Sequence, residues 1–185
     1  MRTVSFTLNI SIDGYCDHTM SAPGEELMDY FTGTMEDVDL LFFGRVMYQL
    51  MFPYWSDVAK DQSGTAAENR FAERFSAIDR VVVSRSLDDS NDANTRIIRG
   101  NPAAELLKLK QQPGKKISVD SVSMLPELIA AGLIDEFNLV VHPVIVGKGR
   151  LLLPPGSLRE QLDLKLVNTI HFESGCVALH YLRQG

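Results

Sequence analysis

A chain of 185 residues with 45% hydrophobic and 23% charged side chains has an ordinary globular composition and the length of one domain, residues 1–185, with a sizeable core. Its net charge of −6 argues against a nucleic-acid partner, which needs clustered Lys and Arg, yet leaves room for a local basic pocket. A polar start (Met1-Arg2-Thr3), no apolar run near the roughly 18–20 residues of a membrane span, and two isolated thiols, Cys16 and Cys176, lead us to expect a cytoplasmic protein without a membrane partner.

Residues 4–10 alternate Val4, Phe6, Leu8 and Ile10 with Ser5, Thr7 and Asn9, a period-two strand with one apolar face. Asp13-Gly14 marks a turn, and residues 21–31 read as a helix with Leu27, Met28, Tyr30 and Phe31 as its apolar stripe. The continuous apolar run 38–43 is expected of a strand buried on both faces. Gly44 ends it, 45–52 begin a helix, 53–64 read as a loop, and residues 62–65 are expected to form a mobile tip. A helix over 66–77 sets Phe71 and Phe75 on one face, and Val81-Val82-Val83 is another buried strand.

After a polar turn at 88–94 comes a short strand at 95–98, then a helix that Asn101 caps and Pro102 opens. A strand at 116–119 leads to a helix closed by Gly132, and a long strand, 137–146, is interrupted by Pro143. Strands at 164–170 and 176–182 complete the chain as an antiparallel pair through Glu173-Ser174-Gly175. Strands alternating with helices, then a run of strands, predict an α/β domain with a mostly parallel sheet and helices on both faces.

In such a sheet, ligands bind beyond the carboxyl ends of the strands. Gly44-Arg45 joins a backbone that a ligand can approach to a fixed positive charge; a tight turn and a solvated charge would read the same. Ser84-Arg85 ends another strand with a hydroxyl and a guanidinium, suited to a phosphate monoester or simply to a polar loop. Asp120-Ser121-Val122-Ser123 joins a strand to a helix: its hydroxyls could meet phosphate oxygens, or one of its side chains could cap the helix.

These sites stand within longer similarities. Ser11-Ile12-Asp13-Gly14-Tyr15, Gly44-Arg45-x-x-Tyr48, Val83-Ser84-Arg85-Ser86-Leu87, and His142-Pro143-Val144-Ile145-Val146-Gly147-Lys148-Gly149 follow in order. Together they resemble the dihydrofolate-reductase-like family, in particular stand-alone relatives of the reductase domain of riboflavin biosynthesis. The resemblance implies a three-layer dihydrofolate-reductase-like fold with antiparallel C-terminal strands, NADPH as cofactor, and a pteridine-, pyrimidine- or flavin-like heterocycle as substrate. It implies that Gly44, Arg45 and Met47 lie at the cofactor phosphates and that Ser84 and Arg85 lie at the 2′-phosphoadenosine end. It also implies that Asp120, Ser121, Val122, Ser123 and Met124 cradle the pyrophosphate, with the nicotinamide near Ile10. Where the family has Gly and Thr, this chain has Asp120 and Met47, both changes falling on phosphate contacts.

Asp13 is the candidate catalytic acid; Glu25, Glu26 and Asp29 on the following helix are alternatives. His18, His142, His171 and His180 show no spacing for a triad or a metal, and no metal site is expected. The alternative function is a non-catalytic ligand-binding module that kept the fold and lost its nucleotide. Apolar residues in 137–146 and in the terminal strands lead us to expect a homodimer.

Overall fold

The computed structural model describes residues 1–16, 24–88, 90 and 92–184. Among these, eight strands form one sheet: β1 (Val4–Ser11), β2 (Val38–Gly44), β3 (Asp79–Val83), β4 (Thr95–Ile98), β5 (Lys116–Asp120), β6 (Glu136–His142), β7 (Leu164–His171) and β8 (Val177–Arg183). Five helices accompany it: α1 (Glu25–Thr34), α2 (Arg45–Asp61), α3 (Ala66–Ser76), α4 (Pro102–Gln111) and α5 (Leu125–Ala130). The strand order is β4-β3-β2-β5-β1-β6-β8-β7. β4 through β6 run parallel, and β8 and β7 close the far edge antiparallel. This is the expected three-layer dihydrofolate-reductase-like architecture.

Burial explains the two kinds of strand. Val4 and Phe6 of β1 join Phe42, Ile117 and Val119 beneath Leu106 of α4 and Leu125 and Leu128 of α5. On the other face Leu41, Phe43 and Val82 pack under Phe71 and Phe75 of α3, while Leu27 of α1 covers Val140 and Ala178. β5 and β1 lie between these two clusters in the strand order. Their side chains on that face are polar: Ser118 and Asp120, then Ser5, Thr7, Asn9 and Ser11. The alternation of residues 4–10 therefore marks a polar strip along the middle of the sheet, with a neighbouring strand on each side.

Several expectations change in detail. The predicted start of the first helix, 21–23, lies outside the described residues, and the helix runs on to Thr34. α2 passes through Pro53 to Asp61, where a loop was expected. Proline there removes one backbone hydrogen bond, but contacts on either side hold the helix: Tyr48 stacks on Phe52 at 5.0 Å, and Trp55 meets Phe71 edge-on at 4.6 Å. The expected mobile tip is instead pinned. Asn69 accepts from the Gly64 N–H and donates to the Gln62 and Gly64 carbonyls, and Thr65 forms a capping box with Glu68. β6 stops at His142, one residue before Pro143, which cannot donate to the ladder.

Candidate active site

The strand ends that bore candidate motifs gather at the carboxyl edge of the sheet. A cleft of about 380 Å³ opens there between Gly44-Arg45, Ser84-Arg85 and Ser123. The first backbone N–H groups of the 17-residue helix α2 have no side-chain cap and no acidic neighbour in the first turn. Arg45 and Arg85 are exposed, and the cleft adds a third guanidinium, Arg99, just beyond β4. Arg99 donates to the Arg85 and Asp88 carbonyls at 3.2 and 3.4 Å, and Arg45 donates to Gln49 at 2.8 Å. An uncapped helix N-terminus beside three guanidiniums is an anion site by charge and by available donors. Arg99 had a readable signal, since Arg99-Gly100 follows a strand much as Arg45 and Arg85 do.

Other predicted residues fall differently. The buried Ser84 oxygen accepts from the Ser86 and Leu87 N–H groups, so it shapes the turn after β3. Gly44 has an ordinary φ of −82°, and what demands glycine is space: a Cβ there would lie 2.4 Å from Ser121 Oγ. Buried Ser121 thus seals the seam between β2 and β5 and lies 3.2 Å from Ser123 Oγ. Val122 and Met124 are buried and pack into the core through their side chains. Met47 packs against the α2–α3 cluster.

Asp120 does not cap a helix. It is the last residue of β5, opposite Phe43 of β2, and α5 begins after Met124 with no side-chain cap. Its side chain lies on the Ser118 face of the strand, opposite Val119, which is in the core. Oδ2 is buried and has no hydrogen-bond partner among the described residues. Burial pushes the pKa up to about 7, with the Ser118 hydroxyl pulling it back. A carboxyl group in this state is half protonated at neutral pH.

Asp13 is the opposite case. Its carboxylate accepts from Ser11 Oγ at 2.6 Å, from Gly147 N at 2.7 Å and from Val146 N at 3.1 Å. The Ser11 bond, then the Gly147 and Val146 amides, hold its pKa below the usual carboxylate range despite some desolvation. Asp13 clamps the segment after β6 to the end of β1, and its chemistry is that of an ionised anchor. Ile10 is half-buried one residue before the end of β1 and pairs with Val141.

The chain matches the family model for the RibD C-terminal domain over residues 2–178. It belongs to that family. It is 28% identical to the uncharacterized protein YyaP of Bacillus subtilis (strain 168), over 97% of this chain and 94% of that one. Among solved structures, a protein assigned to riboflavin biosynthesis from Shewanella sp. PV-4 superposes with a TM-score of 0.75 at 16% identity, covering 99% of each chain. Dihydrofolate reductase from Enterococcus faecalis, complexed with NADP(H) and RAB-propyl, superposes with a TM-score of 0.63 at 11% identity, covering 99% and 97%. At these identities the structures establish the fold.

In this RibD C-terminal domain two of the alternative acids on α1, Glu26 and Asp29, have partners within the fold. Glu26 accepts from the Glu173 N–H, and Asp29 pairs with Arg70 at 2.6 Å on the surface. His18 lies outside the described residues. His142, for which the sequence offered no partner, is buried between Asn9 and Cys176. Among the described residues no group of His, Cys, Asp or Glu could hold a metal ion, and no helix is long and apolar enough to cross a membrane.

Proposed function

We propose that this RibD C-terminal domain is an NADPH-dependent reductase of a flat heterocycle of the pteridine, pyrimidine or flavin-like class. One juxtaposition carries the reading: a three-arginine anion site at an uncapped helix N-terminus, followed along the same sheet edge by a buried carboxyl group whose Oδ2 has no hydrogen-bond partner among the described residues. The donor set fits a phosphorylated dinucleotide. Arg85 and Arg99 would take the 2′-phosphate end, with the Ser84 hydroxyl beside them. Arg45, the first N–H groups of α2 and Ser123 would take the pyrophosphate, leaving the nicotinamide toward Ile10. When bound, NADPH supplies a hydride. Asp120 faces away from the phosphate cleft, toward the polar strip, and would hold the proton and hydrogen-bond the heterocycle. On that face its charge does not oppose the phosphates.

Calorimetric titration with NADPH and NADH tests the proposal. The expected result is NADPH bound about ten- to a hundredfold more tightly, from one or two charged contacts to the 2′-phosphate. No binding of either nucleotide would overturn it in favour of the ligand-binding module without a cofactor.

A homodimer completes the proposal. Phe137 and Val140 are buried within the sheet, so part of the apolar surplus read in 137–146 is already used, while Ile145 stays exposed. The sheet edge is exposed too, with Leu166, Val167 and Ile170 on β7 and Leu182 beside them on β8. Light scattering should show a species of twice 20.6 kDa at tens of micromolar, and a monomer at that concentration would reject pairing.

A further inference from the structure

Three parts of the fold meet at His142. It ends β6 at 4% exposure, with Nδ1 3.4 Å from Sγ of the buried Cys176 and Nε2 2.9 Å from Oδ1 of Asn9 on β1. A thiol donates better than it accepts, and an amide oxygen only accepts. The arrangement that satisfies both contacts has the Cys176 S–H donating to Nδ1 and the Nε2–H donating to Asn9 Oδ1. Burial, which lowers the His142 pKa, favours the neutral ring that this needs. The Asn9 carboxamide is thereby turned with its oxygen inward and its NH2 outward.

Asn9 is half-buried on the polar face of β1, paired with Val140 of β6 and beyond the Val4–Phe6 stretch that pairs with β5. Farther down the same face Thr7 is already engaged, accepting from Asn138 at 3.3 Å. The Asn9 NH2 has no acceptor among the described residues, and Asp120 ends the neighbouring strand. The Asn9 NH2 is fixed in direction by a buried relay and left for something outside the protein.

We infer that Asn9 is a specificity-determining contact, donating to a carbonyl oxygen of the heterocycle, and that His142 and Cys176 are positioning residues that fix its amide. This rests on the reductase reading above. It narrows the substrate class to oxo-heterocycles, because an amino group at that position would meet a donor with a donor.

The test uses the full chain saturated with NADPH, with two fluorescent probes differing in one group, pterin (4-oxo) and 2,4-diaminopteridine (4-amino). Wild type should bind pterin about tenfold more tightly, the effect of one mismatched polar contact. Asn9→Asp presents an acceptor and should reverse the preference. Cys176→Val should narrow it and Cys176→Ser restore it, which loss of packing alone would not do. Nitrogen-15 NMR of the imidazole should show Nε2–H in wild type. An unchanged preference in Asn9→Asp, an Nδ1–H tautomer in wild type, or binding of NADPH with neither probe would each overturn the inference. Failure to bind NADPH would instead overturn the reductase reading on which it stands.

Discussion

At the ends of β2, β3 and β4 the candidate site is exposed and cationic, built from Arg45, Arg85, Arg99 and backbone N–H groups. At the ends of β5, β1 and β6 it is polar and largely buried, built from Asp120, Asn9 and His142. The first region attracts an anion through charge in water, where each contact is individually modest and adjustable. The second sets hydrogen bonds in a low-dielectric strip, where an unpaired group is costly and direction matters. Affinity for a phosphorylated cofactor and selectivity for a heterocycle would thus be carried by different physics at the two ends of one sheet edge.

The sharpest way to break this contrast is through Asp120. Its folded pKa of about 7 lies above the unfolded value of 3.8, so the folded state holds the extra proton between them. Stability should therefore fall as pH rises from about 4 to 7 and level off above, a loss of about 4 kcal/mol at roughly 1.4 kcal/mol per unit. Denaturant titrations at pH 5 and 8 should show it, and Asp120→Asn should flatten it. A wild-type profile already flat over that range would mean the carboxyl is solvated, and the two ends would then be alike.

On the cationic side, Arg85→Ala or Arg99→Ala should each weaken NADPH by about 1.5–3 kcal/mol while leaving NADH nearly unchanged. Equal losses for both nucleotides would move these side chains away from the 2′-phosphate. The seam between the regions is Gly44 against Ser121. Gly44→Ala should destabilise by about 1–3 kcal/mol through overpacking, and adding Ser121→Gly should recover most of it. Thermal melts of the single and double variants decide this, and additive losses would place the strain elsewhere. The smallest effect belongs to Asp13→Asn, which should speed hydrogen exchange at the Val146 and Gly147 amides yet leave nucleotide binding intact. Lost turnover with an unchanged loop would make Asp13 the acid after all.

The cationic half was legible because each part is local. A strand end followed at once by Gly-Arg, Ser-Arg or Arg-Gly carries its meaning within a few residues, and Arg99-Gly100 after β4 carries the same local signal. The polar half was not legible. Asn9 and His142 are separated by 133 positions, and His142 and Cys176 by 34, so no spacing could have joined them. Asp120 fits locally as a helix cap or as part of a pyrophosphate loop, whereas the strand continues one residue farther and turns its side chain to the opposite face.

By itself, then, the sequence determined the elements, their alternation and the positions where charge meets a strand end, since these follow from periodicity, capping and turn chemistry over short windows. It also determined that β1 has one polar face. Only the tertiary structure decided what that face is for. Pairing β1 with β6 along its length, and with β5 as far as Phe6, set its polar face in the middle of the sheet and Asp120 one residue past the β5 register. Buried polar side chains need partners, and which partners they find depends on strand order, a long-range property that no local pattern encodes.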